Sequence, residues 1–390
     1  MVKTRKVGVD SGNGSGKIYL DGNLKLNIPT VYAEQFDSNF SAFGMADIAP
    51  EELVSNLDIT FVSSKALKGK NKRYLIGEKV ISSRNANPIE MEIKSEKSSD
   101  ELPVIVALAG LAVDAMINNE NKNRITVNYD IALALPYRSM KQGNEKEHSS
   151  RFIGTHELIF HHPSGRNVNI TLVIEYAKCI TEGAAGAWGI VYDEKGKLQK
   201  KELIYSGEKK SVSLENKKIL HNDIGAGTTE LVVTTGVQYD PMLSEGKPFG
   251  VKGTIEDIIQ TWNGEYDRQI DSVAEFNDIY MNPEHDVHSQ LRLFSKDALQ
   301  GLAIKLAVSI KNAREKLKDN PLTFIYGGGA IILKEFLEDA LEARNSLTNV
   351  FFLEDPVFVN ARGLYVFANT PIFAQLKKIE LGDQNGKEEN

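Results

Sequence analysis

The stretch Val7–Leu20, VGVDSGNGSGKIYL, and the stretch Leu220–Val233, LHNDIGAGTTELVV, carry the same punctuation and decide the reading of the fold. In each, an apolar run ends at an aspartate, a glycine-rich loop follows, and a second apolar run leaves the loop. Asp10, Gly12 and Gly14 return as Asp223, Gly225 and Gly227, each pair 213 residues apart by subtraction. Recurrence at a fixed offset, with matching flanks, marks an internal duplication. Two strands joined through glycines read as a hairpin. Glycine there permits positive φ and lets successive backbone N–H groups converge on an anion, for which phosphate is the natural occupant.

Two common nucleotide loops are excluded. A P-loop needs glycine where Ser11 stands and Ser or Thr where Ile18 stands. A dinucleotide fingerprint needs different glycine spacing and a helix, not a strand, after the loop. What remains is a β-hairpin phosphate loop, with Asp10 placed to hold a hydrated Mg²⁺ and Lys17 to neutralise phosphate charge. The second loop offers Asp223, Gly225, Gly227 and the hydroxyls of Thr228 and Thr229. Taken singly, either loop is as readily an ordinary glycine turn; as a pair, they are expected to clamp a polyphosphate from opposite sides. A third feature, TFIYGGGAIIL, runs from a strand through Gly327, Gly328 and Gly329 into a helix, and the triplet admits close approach of a flat group such as adenine.

The rest of the chain fits an α/β protein. Its 390 residues suffice for two domains with real cores. Strands are expected at KIYL and LKLNIP, one more within a polar segment from Ala33 to Lys97 that reads as an insert, and others at ITVNYDIALAL, HELIFH and VNITLVIE. Helices are expected from Leu102 to Asn118, from Glu182 as a bridge between domains, over KGTIEDIIQTW, over DALQGLAIKLAVSIKNAREKL, and near NARGLYVFA. The polar residues after Leu381 read as a disordered tail. A net charge of −7 argues against a broad basic surface for nucleic acid. The apolar run Pro103–Ile117 is too short for a membrane span and reads as a buried helix, and no secretion signal is expected in MVKTRKVGVD. The single cysteine, Cys179, excludes an intrachain disulfide and fits a cytoplasmic protein. His161, His162, His285 and His288 are expected at the surface, since no third metal ligand accompanies either pair.

The ordered set of motifs resembles the ATPase superfamily of actins, heat-shock chaperones and sugar kinases: a first phosphate loop at Asp10, a connecting helix at Glu182, a second phosphate loop at Asp223, an adenosine motif at Gly327 and a second connecting helix at Arg362. Within it the chain looks like the ParM/StbA group of plasmid-partition actins, through IALALPYRSM, the HELIF and VNITLVIE strands, and DPVFVNARGLYVFA. The resemblance spans Val7 to Ala368 and implies an actin-like ATPase fold of two duplicated RNase H-like domains around a nucleotide cleft, each with an inserted subdomain. Domain I would cover 1–178 with its insert at 33–97, domain II 179–360 with its insert at 240–295, and 361–381 would return to domain I before the tail 382–390.

The same resemblance implies ATP and Mg²⁺ as ligands. Asp10 and Asp223 would lie in the Mg²⁺ shell, with Ser11, Gly12, Asn13, Gly14, Lys17, Gly225, Ala226, Gly227, Thr228 and Thr229 around the phosphates. Gly327–Gly329 would lie at adenosine, and Glu182 would orient or activate the attacking water. Lys305, Asn312 and Arg314 on the long helix are as readily its solvated face as ribose contacts. The implied activity is ATP hydrolysis coupled to a head-to-tail filament that moves plasmid DNA through a DNA-binding adaptor, with no direct contact to nucleic acid or membrane. A small-molecule kinase, a heat-shock-type chaperone and a non-hydrolysing scaffold are the alternatives; the kinase would need a further base, and only 20 residues follow Thr370 for a peptide-binding domain.

Overall fold

The computed structural model describes residues 3–36, 48–83, 86–90, 99–205, 208–317 and 321–385. The chain forms two compact units, Met1–Gln199 with Phe358–Asn390, and Lys200–Val357. The sequence reading drew its first boundary after Lys178, and the helix lying between that line and Gln199 packs inside the first unit.

In the first unit, β1 (Arg5–Ser11), β2 (Ser15–Leu20) and β3 (Leu24–Pro29) form an antiparallel meander. The chain continues through β4 (Val31–Gln35), β5 (Leu57–Ser63), β6 (Lys72–Ile76), the single turn α1 (Glu78–Ile81) and β7 (Ile89–Glu90). After α2 (Leu102–Ile117) come β8 (Arg124–Leu135), α3 (Tyr137–Lys141), α4 (Glu145–Phe152), β9 (Gly154–His161), β10 (Asn167–Thr181) and α5 (Ala184–Val191). The ten strands form one sheet in the order β3-β2-β1-β8-β10-β9-β5-β6-β4-β7, in which β1, β8 and β10 run parallel.

Helix α2 has no polar face, its one charged residue being Asp114, which accepts from Arg5 and Tyr129, and Leu102 through Met116 are all buried, as such a helix must be. Gly110 lets it approach β2, since a Cβ there would lie 2.0 Å from Ile18 Cδ1.

The expected insert 33–97 departs from the sequence reading. Strand β5 pairs with β9, and the alternate residues Leu57, Ile59 and Phe61 are fully buried in the main core. Much of the segment is therefore sheet and core rather than a separate appendage. Part of it, 37–47, 84–85 and 91–98, lies outside the described residues.

The second unit begins with a ribbon, β11 (Lys200–Tyr205) and β12 (Glu208–Ser213), that joins neither large sheet. Strands β13 (Lys218–Ile224), β14 (Thr229–Thr235) and β15 (Gln238–Lys247) form a second antiparallel meander, followed by α6 (Val251–Glu265), α7 (Val273–Met281) and α8 (His288–Leu317). Strand β16 (Leu322–Tyr326), α9 (Gly328–Glu342) and β17 (Val350–Phe352) complete it. The order β15-β14-β13-β16-β17, antiparallel through the meander and parallel from β13 to β17, repeats β3-β2-β1-β8-β10 strand for strand. The duplication read from two loops is thus a duplication of five strands.

The chain closes in the first unit with α10 (Val359–Ala368) and α11 (Pro371–Asn385). Helix α10 lies on β1 and crosses α5 with backbones nearly touching: a Cβ on Gly8 would fall 2.1 Å from Ala361 O, and one on Gly363 1.9 Å from Ala185 O. Helix α11 is tied to the sheet by the fully buried Phe373, by Lys377 to Asp130 and Glu175, and by Glu380 to Lys178 and Tyr176. It runs through Asn385, so residues 382–385 of the expected tail are helical, while 386–390 lie outside the described residues.

Candidate functional site

In an open α/β sheet, ligands bind beyond the carboxyl ends of the parallel strands, and the first unit gathers its candidate residues there. Strand β1 ends at Asp10 and Ser11, and Thr181 ends β10 just before Glu182. Val9, Leu133 and Cys179 are in register across β1, β8 and β10. Asp10 and Glu182 therefore stand two strands apart on one edge, with Glu182 two residues further along its strand than the position level with Asp10.

The loop between β1 and β2 is closed by Gly12 N–H donating to Ser15 O at 3.1 Å. Thr30 holds its carbonyls: its hydroxyl donates to Gly12 O at 2.7 Å and its N–H to Gly14 O at 3.1 Å. A trans peptide turns the N–H of the next residue to the side opposite the carbonyl, so the N–H groups of Asn13 and Ser15 point away from Thr30, as an anion nest would require. Thr30, 4% exposed, is a loop-positioning residue that sequence reasoning missed. Its role depends on the β2–β3 pairing and leaves no local signature.

The polar side chains of this loop are arranged for a ligand. Asp10 is opposite Lys17 in the β1–β2 register and shares its face. Asp10 is 7% exposed, and its carboxylate has no hydrogen bond or ion pair among the described residues. Ser11 Oγ and Asn13 Oδ1 are likewise buried without a partner. A Cβ on Gly12 would lie 2.6 Å from Ser15 O and 2.7 Å from Lys17 Nζ, so the ammonium sits over the loop. Burying polar groups unpaired is costly, and a phosphate with a hydrated divalent cation would satisfy this set: the Ser11 hydroxyl and the N–H donors for the anion, and the metal's water shell for the Asp10 carboxylate and the Asn13 Oδ1 acceptor.

The second unit repeats the device with different parts. Gly225 N–H donates to Thr228 O at 2.9 Å, the counterpart of the Gly12 bond. The first turn of α6 replaces Thr30: Val251 N–H donates to Gly225 O and Lys252 N–H to Ala226 O, at 3.2 and 2.9 Å. The N–H groups of Ala226 and Gly227 consequently face the other way. Gly250 is required here, because a Cβ would fall 2.3 Å from Ala226 O. Thr228 is half-buried in the loop, whereas Thr229 is fully buried and donates its hydroxyl to Phe249 O at 3.0 Å, clamping the loop from beneath.

Within the same unit, Asp223 pairs with Tyr326 across β13 and β16, which sets Gly327 against it. Gly327 has φ +92°, and a Cβ there would fall 2.4 Å from Asp223 Oδ1. Gly329 abuts Ile224 and Val251, while Gly328 faces open space. Two glycines of the triplet thus serve packing behind the second loop, and only Gly328 has room for an approaching ring.

Other expectations resolve within each unit. Arg314 is buried and donates to Thr323 Oγ1 and Thr348 O, so it is a structural residue rather than part of a solvated face. Lys305 lies 3.9 Å from the centroid of the Phe249 ring, and Asn312 is exposed. His162 is 8% exposed and bonded to Ser164, not a surface histidine. No group of three His, Cys, Asp or Glu that could hold a metal occurs among the described residues, and no described helix is long and apolar enough to cross a membrane.

In sequence the chain matches no family model and no curated protein. In structure it is similar to the actin-like protein Alp7A, at 19% identity and a TM-score of 0.71 over 99% of this chain and 100% of the other. The chain has the actin-like fold. This actin-like chain is also similar to an archaeal actin homologue, at 16% identity and TM-score 0.64 over 94% and 99% of the two chains. A third similar structure is Bacillus thuringiensis ParM with AMPPNP, at 16% identity and TM-score 0.62 over 95% and 99%. Near-complete coverage in both directions extends the actin-like likeness across both units.

Proposed function

We propose that the chain is an ATP-dependent, filament-forming ATPase of the plasmid-partition type. The observation that carries this reading is the pair of loops, each closed by the same glycine bond and each with its carbonyls pinned so that N–H groups turn to one side. Both loops serve one ATP. The N–H groups of Asn13, Ser15, Ala226 and Gly227 and the hydroxyls of Ser11 and Thr228 bind phosphate oxygens, Gly12 and Gly225 close the two loops, and Lys17 neutralises charge. Asp10 and Asp223 would hold a hydrated Mg²⁺, which would supply charge neutralisation for phosphoryl transfer. Glu182 orients the attacking water, and Gly328 lies beside adenine. In-line phosphoryl transfer needs positioning and charge neutralisation more than covalent help, and these groups supply both.

Self-assembly is supported by the resemblance to ParM-type actins. One heterologous contact that does not close produces an open filament, and nucleotide that binds the assembling conformation better than the free one drives it. Hydrolysis then loosens the polymer, and a DNA-binding adaptor couples it to plasmid in the cytoplasm. Sedimentation and electron microscopy of the chain with ATP and Mg²⁺ test the proposal. Filaments should pellet with nucleotide and not without it, and Glu182→Ala should keep assembly while losing hydrolysis. Protein that stays in the supernatant well above micromolar concentration contradicts it.

A further inference from the structure

Glu182 occupies the passage from β10 to α5, and its backbone is held on both sides. Its own N–H donates to Leu135 O, at the end of β8, at 2.9 Å. The next N–H, that of Gly183, donates to Asn360 Oδ1 at 3.3 Å, from a residue 177 positions later in the chain. Gly183 has φ +80° and ψ −52°, a conformation open to glycine and rarely to other residues. Asn360 lies in the first turn of α10 and is 4% exposed.

The bond from Asn360 fixes the peptide plane between Glu182 and Gly183, which sets ψ of Glu182 and so the direction in which its side chain leaves the strand. The rest of the α5–α10 contact stands without it. Arg362 donates to Gly189 O at 2.9 Å and to Glu194 at 2.6 Å, at the far end of α5. Ala185, Gly189 and Gly363 form the crossing itself. Loss of the Asn360 amide should therefore disturb Glu182 while leaving the helix pair assembled.

We infer that Asn360 is the positioning residue for Glu182, holding its backbone through the Gly183 N–H. This rests on the reading of Glu182 as the residue that orients the attacking water, and small displacements of such a group lower turnover steeply. The test is steady-state ATP hydrolysis by the full chain, with folding followed by thermal melting. Asn360→Ala should lower kcat about tenfold and leave KM for ATP within about twofold. Asn360→Asp, which keeps the accepting oxygen, should stay within about threefold of wild type. In a Glu182→Gln background, Asn360→Ala should have no further effect. If the alanine variant does not fold, Asn360→Leu, which fills the volume without an acceptor, carries the same expectations. Wild-type kcat in Asn360→Ala, or an equal loss in the Glu182→Gln background, overturns the positioning role alone. Wild-type turnover in Glu182→Gln overturns the reading of Glu182 and the positioning role with it.

Discussion

Asp10 is expected to weaken the free protein and strengthen the liganded one, so replacing it should shift stability in opposite directions in the two states. Its carboxylate is 7% exposed and unpaired among the described residues, and leaving a charged group buried without a partner costs more than the roughly 1–3 kcal/mol of a neutral one. Asp10→Asn keeps the shape and removes the charge, and should stabilise the nucleotide-free protein by about 1 kcal/mol, or roughly 2–4 °C in Tm for a unit of this size. Wild-type protein at a hundredfold excess of ATP and Mg²⁺ over Kd should gain about 2.7 kcal/mol, roughly 5–10 °C. The part of that gain that needs Mg²⁺ should vanish in the variant. Thermal melts of both proteins, nucleotide-free, with ATP and EDTA, and with ATP and Mg²⁺, read all the terms. A variant less stable than wild type without nucleotide, or one with the full Mg²⁺-dependent shift, would refute the reasoning.

Three further expectations concern the frame. His221 is fully buried with its Nε2 against Thr234, and burial pushes its pKa from 6.5 down to about 3. The unfolded chain therefore binds the extra proton between those values. Stability is complete above 6.5 and is lost as pH falls toward 3, at about 1.4 kcal/mol per pH unit. Urea unfolding at pH 6 and pH 4 should show a smaller loss in His221→Leu than in wild type; equal losses would contradict this. Gly363→Ala places a Cβ 1.9 Å from Ala185 O, so α5 and α10 must separate, and the cost should be about 1–3 kcal/mol in urea unfolding; unchanged stability would show that the crossing is looser than described. Lys377 donates to Asp130, whose side chain is 1% exposed, and to Glu175, and these bonds outweigh burial to raise the Lys377 pKa. Lys377→Met should cost about 1–3 kcal/mol and speed amide exchange in α11, with wild-type exchange the contrary result.

The features legible in the sequence are those written locally. Asp10 and Asp223 stand beside glycines that only a tight turn would use, and α2 announces its burial by carrying no polar face. What the sequence hides is written across the fold. Thr30 acts on a loop more than ten residues away through strand pairing. The LDITF alternation of β5 was present in the sequence, but its claim on the core became visible only once β9 lay beside it. Arg314 resembles any cation on an amphipathic helix until β16 covers it. The GDQN stretch carries no helical signal of its own and extends a helix whose earlier turns are docked by Phe373, Lys377 and Glu380.

The central claim, that the two duplicated loops serve a single nucleotide, is tested most directly by calorimetric titration of ATP with Mg²⁺ into wild type, Gly12→Val and Gly225→Val. The account predicts one ATP per wild-type chain and loss of that binding in either variant. Two ATP per chain with one lost in each variant, or undiminished binding in both, would contradict it.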